Sequence, residues 1–346
     1  MAFEIDNRKI GEGEQPYCIA EVGINHNGKI ENAFKMIDVA KSSGADAVKF
    51  QTFRAAEFCS KGHKFTYESQ GKIVTESMLD MFQRYEFTRE QWFEIKKECD
   101  KKSITFISTP QNRTDLDLLL EIGVPAIKIG SDDLTNIPLI RSYAEEKLPL
   151  ILSSGMSDLS EVYDSINAAG GFDGHSVALL LCTSQYPTPP KDVNLARLHT
   201  LKSALPGITI GFSDHTKGPL ASSLAVTFGA TIIEKHFTLD RNLSGPDHWF
   251  SEDPIGLEEW VNSARTAYIM KGSPIVRPTQ IEVKNKNEYQ RHLVAACDIG
   301  SGDIFTDKNI TLRRVKNGRG FPPSYLDFIL TKQAPKNYKK GDPLEL

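Results

Sequence analysis

Short apolar runs alternate with longer amphipathic stretches along most of this chain. The runs fall at 17–22, 47–50, 104–107, 126–129, 149–152, 177–181, 208–212 and 231–233, each of strand length. Between them apolar residues recur at helical spacing, as at 32–43, 115–122, 139–146, 159–168, 195–205 and 220–228. Eight such alternations predict an α/β fold whose parallel sheet closes into a (β/α)8 TIM barrel. A doubly wound open sheet is the rival. It carries fewer strands and a glycine-rich first turn, and no GxGxxG occurs.

Two stretches break the alternation. Residues 59–89, with Gly62, Gly71 and many polar side chains, read as a long loop after the second strand, with a helical pattern at 77–84. Such a loop either covers substrate or is a tolerated insertion. Near Lys271 the periodicity gives way to prolines and a KNKN run. The expected division is a barrel over 1–271, a linker over 272–290 and a small module over 291–346. A module that short is marginal alone and gains stability by docking on its own barrel or on a partner subunit.

Composition removes whole classes of function. The 41 Lys+Arg against 45 Asp+Glu leave a net charge of -4, which argues against nucleic acid as the main partner. No apolar run approaches the roughly 18 residues that cross a bilayer. The first residues, MAFEIDNRKIGEGEQ, are too charged for a secretory signal. Five scattered cysteines without a CxxC pair read as a reduced, cytoplasmic chain.

In a barrel of this kind the polar residues that end the strands face the active site. Here every apolar run ends in a polar cluster, which points to one polar pocket. Lys49 and Lys128 interrupt apolar strands, where an unpaired charge is costly. An ion pair with Glu21 would account for one of them. Together with Thr109, Ser131, Ser153 and Ser213 they offer charge and hydroxyl donors to a small dianion such as a phosphate or carboxylate. A Schiff base on a strand-end lysine, as in an aldolase, is a rival from these residues alone. His215 and His236 end adjacent strands and suit a first-row divalent ion, with Glu21, Asp214 or Glu234 as a carboxylate partner or base. Asp247, in the run GPDHWFS, is either a sugar-hydroxyl acceptor or a turn residue after proline.

The ordered blocks EVGINHNG (21–28), KFQTF (49–53), FISTP (106–110), KIGS (128–131), ILSSGM (151–156), CTSQYPTP (182–189), GFSDHT (211–216) and EKHFTLDR with GPDH to 248 resemble the sialic acid synthase family. That family comprises the N-acetylneuraminate synthases and their legionaminate relatives. The tail RHLVAACDIGSGDIFTDKNITLRRVKNGRG looks like the antifreeze-type (SAF, β-clip) domain that ends such synthases. The resemblance implies condensation of phosphoenolpyruvate with an open-chain N-acyl hexosamine, by C–O cleavage, to a nine-carbon 2-keto acid and phosphate. It implies a divalent metal, typically Mn2+, on His215 and His236. The phosphoenolpyruvate positions match Lys49, Thr109, Lys128, Ser131, Ser153, Ser184 and Ser213. The acceptor positions match Gln51, Tyr186 and Asp247. Arg314 matches an arginine reaching the sugar's acyl group in a domain-swapped homodimer, and Glu21 a carboxylate near the reacting centre. Two departures stand out: Ser184 where some synthases have Asn, and Asp132-Asp133 where KIGSGE is common. An acceptor of legionaminate type, a Schiff-base sialic acid aldolase and a non-catalytic sugar-binding protein are the alternatives.

Overall fold

Eight parallel strands close on themselves in the computed structural model of the protein, which describes residues 3–345. The strands are Tyr17–Gly23 (β1), Ala47–Thr52 (β2), Thr105–Pro110 (β3), Ile127–Ile129 (β4), Leu150–Ser153 (β5), Val177–Cys182 (β6), Thr209–Asp214 (β7) and Ile232–His236 (β8). They pair in chain order, and β8 closes on β1 in the register Ile232↔Tyr17 to His236↔Glu21. The helices packed outside are Ile30–Ser42 (α1), Arg89–Lys102 (α2), Arg113–Ile122 (α3), Ile137–Ala144 (α4), Leu159–Ala168 (α5), Arg197–Ala204 (α6), Leu220–Thr227 (α7) and Pro254–Lys271 (α8). The (β/α)8 barrel expected from the alternation is therefore the observed architecture, with most element ends within two residues of the pattern.

Side chains on a strand alternate between faces, so each strand here supplies two cores. One phase, Cys18, Ala20 and Val22 on β1 for example, packs outward against the helices. The other faces inward. Tyr17, Ile19, Ala47, Ile107, Ala126, Ile151, Ala178, Leu180 and Ile232 form an apolar plug with Phe3, Ile5 and Ile10. The last three come from an antiparallel hairpin, Phe3–Ile5 with Arg8–Ile10, which seals the amino-terminal end.

The stretch 59–89 is folded rather than a loop. A hairpin, Lys64–Ser69 with Lys72–Ser77, turns at Gln70 and Gly71, both at positive φ as a two-residue I′ turn requires. A helix follows over Met78–Gln83, with the Ser77 side chain accepting from Asp80 N at its start. Phe65, Tyr67, Phe58 and Phe82 pack on Ile24, Phe53, Met81 and Tyr85, which fastens this segment to the carboxyl mouth of the barrel.

The chain divides into two compact units, with the boundary between Gly272 and Ser273. The stretch 272–290, expected as a linker, contains a helix, Gln280–Tyr289, started by a reciprocal Thr279–Glu282 capping box. The second unit has its own apolar core of Leu293, Ala295, Ile299, Phe305, Ile310, Ile329, Ala334, Tyr338 and Leu344. Its two-stranded sheet pairs Arg291–Ala295 antiparallel to Ile310–Arg314. No helix among the described residues is long and apolar enough to cross a membrane.

Candidate active site

Two residues beyond each inward apolar position the strands turn polar, and this places the site. Ile19 is followed on the same face by Glu21, Ala47 by Lys49 and Gln51, and Ile107 by Thr109. Ala126 is followed by Lys128, Ile151 by Ser153, Leu180 by Cys182, and Ile232 by Glu234 and His236. On β7 the inward position below Ser213 is Gly211, where a Cβ would meet Leu180 and the Ile232 carbonyl. One cavity of 370 Å³ lies above the plug. Of the barrel residues assigned a catalytic, binding or metal role from the sequence, all line it except Asp214 and Asp247.

The charged floor is tightly paired. Lys49 Nζ lies 2.8 Å from Glu21 Oε2 and 3.8 Å from Glu234 Oε2, and it donates to Thr109 Oγ1 at 3.1 Å. Gln51 Nε2 donates to Glu21 Oε1 at 3.1 Å. Lys128 Nζ donates to Ser153 Oγ at 2.7 Å, and Ser213 Oγ donates to Glu234 Oε1 at 3.1 Å. The four ionisable groups do not share one fate. Burial raises the Glu21 pKa, with Lys49 opposing and Glu234 reinforcing it. Burial also acts on Glu234, but Lys128, Lys49 and the Ser213 hydroxyl outweigh it and hold that carboxylate low. Burial works against the Lys49 ammonium, yet Glu21 and Glu234 raise its pKa. Burial wins at Lys128, where Glu234 only partly offsets it, and the pKa falls. Two carboxyls driven apart in this way suit one as proton carrier and the other as fixed charge.

The two histidines sit side by side, ring centroids 5.6 Å apart, beneath Tyr186, whose ring is 4.1 Å from that of His215. His215 Nδ1 donates to Thr183 O at 2.8 Å, so Nε2 is the nitrogen left for the cavity; burial works against its imidazolium, but Cys182 and the Thr183 carbonyl raise its pKa. His236 Nδ1 is buried without a hydrogen-bond partner, and burial, reinforced by His215 and the lysines, holds this ring neutral. Two adjacent imidazoles, one with a buried nitrogen that has no partner, are nitrogen donors that fit a divalent first-row ion. Among the described residues no cluster of three or more His, Cys, Asp or Glu forms a fuller ligand set.

Two glycines shape the walls, and residue chemistry alone did not flag them. A Cβ on Gly155 would stand 2.3 Å from Ser184 Oγ and 2.6 Å from Ser131 Oγ, so both hydroxyls crowd its bare face. Gly155 N also donates to Ser131 Oγ at 3.1 Å. Gly23, at φ +54, leaves room for Asp247 Oδ2 and His236 Nδ1, each 3.4 Å from where its Cβ would lie. Asp247 is not among the residues that line the cavity. Glu234, Cys182 and Asp132 line it, as do Phe58 and Phe82 of the segment after β2. Asp214, a carboxylate candidate from its place beside His215, faces the opposite way and pairs with Lys235. Arg314 belongs to the second unit, exposed, with its guanidinium Nε donating to Tyr289 O at 3.1 Å.

Comparison with known proteins bears on this arrangement. The NeuB family model matches residues 36–275. The N,N'-diacetyllegionaminic acid synthase of Campylobacter jejuni is 40% identical over 94% of this chain and 97% of its own length. That of Legionella pneumophila is 36% identical over 98% of this chain and 97% of its own. The crystal structure of the N-acetylneuraminic acid (sialic acid) synthetase from Leptospira borgpetersenii superposes with a TM-score of 0.74 at 33% identity, covering 84% of this chain and 97% of that one.

Proposed function

The chain belongs to the NeuB family, and from that premise we propose that it condenses phosphoenolpyruvate with an open-chain N-acyl hexosamine, releasing phosphate and a nine-carbon 2-keto sugar acid. The acceptor is N-acetylmannosamine or a 2,4-diacetamido-2,4,6-trideoxymannose. The observation that carries this reading is the convergence of Lys49, Lys128, five hydroxyls and two free-faced histidines on one cavity of 370 Å³.

Lys49 and Lys128, with the hydroxyls of Thr109, Ser131, Ser153, Ser184 and Ser213, bind the phosphate and carboxylate and hold the enol in line with the acceptor. Gln51 and Tyr186 take the sugar. His215 and His236 would hold a divalent ion, Mn2+ by preference, which when bound supplies Lewis-acid polarisation of the acceptor aldehyde. The enol C3 forms the new bond to the aldehyde carbon, and the aldehyde oxygen takes up a proton. Water adds to the cationic C2 and loses its proton. The C2–O bond then breaks, phosphate leaves with the bonding pair and takes the remaining C2 hydroxyl proton, and the ketone remains. Glu21, whose proton is favoured by burial, is placed to give that proton to the aldehyde oxygen and to take one back from the added water, while ionised Glu234 faces the developing positive charge.

The second unit is read as an antifreeze-type module, and the assembly as a domain-swapped homodimer in which Arg314 of one copy serves the sugar bound by the other. The exposure of Arg314 on its strand supports this. The depressed Lys128 pKa favours one competing reading, a Schiff-base aldolase. The test is phosphate release from phosphoenolpyruvate with Mn2+ across a panel of N-acyl hexosamines, with product mass measured. No phosphate release with any of them, or a borohydride-trapped pyruvate adduct on Lys128, overturns the synthase reading.

A further inference from the structure

Lys235 and Asp214 point away from the cavity, into the layer between strands and helices, where a charge is costly unless paired. The Lys235 side chain is 2% exposed. Its Nζ lies 3.2 Å from Asp214 Oδ2 and 3.8 Å from Glu252 Oε1, and it donates to Thr216 O at 2.6 Å. Asp214 Oδ1 accepts from Thr216 N and Oγ1, both at 2.8 Å, and Oδ2 accepts from Ser222 Oγ of α7 at 2.6 Å. Trp260 Nε1 of α8 donates to that same hydroxyl at 2.7 Å. Glu252 closes the circuit. Its Oε1 accepts from Gly218 N at 2.7 Å, and its backbone N donates to His236 O at 3.0 Å.

The two histidines are embedded in this circuit without belonging to it. His215 lies between Asp214 and Thr216 in sequence, and His236 comes directly after Lys235 with its carbonyl held by Glu252. Asp214 and Lys235 are also register partners across β7 and β8. Neighbouring residues at a strand end face opposite ways, so fixing the outward pair fixes the rotation and spacing of the two histidines next to it. Apolar residues of the same volume would stabilise such a layer equally well, but would not specify one arrangement of the two strand ends.

We propose that the buried Lys235–Asp214–Glu252 cluster positions the imidazoles of His215 and His236, presenting both rings to one divalent ion. This rests on reading those histidines as a metal pair. The experiment titrates Mn2+ into chelator-stripped full-length protein by calorimetry, alongside phosphoenolpyruvate. The variants are Glu252→Gln, which keeps shape and backbone bonds, and the double variant Asp214→Asn/Lys235→Met, which leaves that pair without an uncompensated charge. Each folded variant, checked by circular dichroism, should bind Mn2+ about 10-fold or more weakly, the loss typical of groups that orient metal ligands. Affinity for phosphoenolpyruvate should stay within about twofold, since both lysines that hold it stand on strands other than β7 and β8, and only the Ser213 hydroxyl stands on these two. A folded variant that binds Mn2+ like the wild type overturns the proposal. So does a parallel loss of phosphoenolpyruvate affinity, which would mark general loosening. Failure of the underlying reading looks different: the wild type binds no Mn2+, or His215→Ala and His236→Ala bind it unchanged.

Discussion

Glu21 Oε2 and Lys49 Nζ meet at 2.8 Å across the first two barrel strands, both almost wholly buried. Breaking such a pair leaves a lone charge inside, at a cost of about 3–5 kcal/mol. Lys49→Met should therefore lower thermal stability and also raise the phosphoenolpyruvate KM. Glu21→Gln keeps the shape and removes only the charge and the proton. It should reduce kcat about 100-fold, within the range for a lost proton carrier, without raising the phosphoenolpyruvate KM. Steady-state kinetics on both variants decide. A Glu21→Gln enzyme with wild-type kcat removes Glu21 from the chemistry.

His215→Ala and His236→Ala should each abolish metal-dependent phosphate release while leaving the far-UV circular dichroism spectrum unchanged. The rings face the cavity and carry no part of either apolar core. Undiminished turnover in exhaustively chelated protein would end the metal role.

Much of the site was legible because strand parity is legible. Ile19 before Glu21, Ala47 before Lys49 and Ile232 before Glu234 repeat one pattern: an apolar plug residue and, two positions on, a polar one. Asp214 shows where motif thinking without parity fails. It adjoins His215 in sequence and faces the other way in space. Gly23 and Gly155 were invisible because the meaning of a missing side chain depends on what crowds it. The helix within 272–290 carried a legible TQIE capping box, but it has no buried residue and so no apolar stripe to announce it.

Gly155→Ala tests the crowded wall. The added Cβ would meet Ser184 Oγ at 2.3 Å and Ser131 Oγ at 2.6 Å, which can rotate away, and Ser131 Cβ at 2.9 Å, which can yield only by a shift of backbone. The hydroxyls would then leave the anion pocket. The phosphoenolpyruvate KM should rise about 10-fold, in line with one or two lost hydrogen bonds to a charged group, with a modest fall in Tm from the backbone shift at Ser131. A large fall in Tm with unaltered KM would mean that the backbone, not the hydroxyls, had given way.

Arg314→Ala tests the role given to the second unit. The side chain is exposed, donates to the Tyr289 carbonyl and stands 5.8 Å from the Tyr289 ring centroid, both surface contacts, so its loss should change Tm little. The acceptor KM should rise more than the phosphoenolpyruvate KM. Equal effects on both constants would count against sugar contact.

Asp247 gives the molecule a pH dependence with a definite sign. Burial, reinforced by Glu21 and opposed by His215, pushes its carboxyl up to about 7. A carboxyl that binds its proton more tightly when folded stabilises fully below its unfolded pKa of about 4, and loses that contribution as pH climbs through its folded value. Wild-type stability should accordingly fall between about pH 4 and pH 7, by at most about 1.4 kcal/mol per pH unit from this group. Asp247→Asn cannot titrate and should show a flatter profile, gaining on the wild type as pH rises from 5 to 8. Denaturant unfolding of the two proteins across that range measures the difference. Parallel profiles would mean that Asp247 is ionised throughout, and the space left by Gly23 would then hold a carboxylate rather than a neutral acid beside His236.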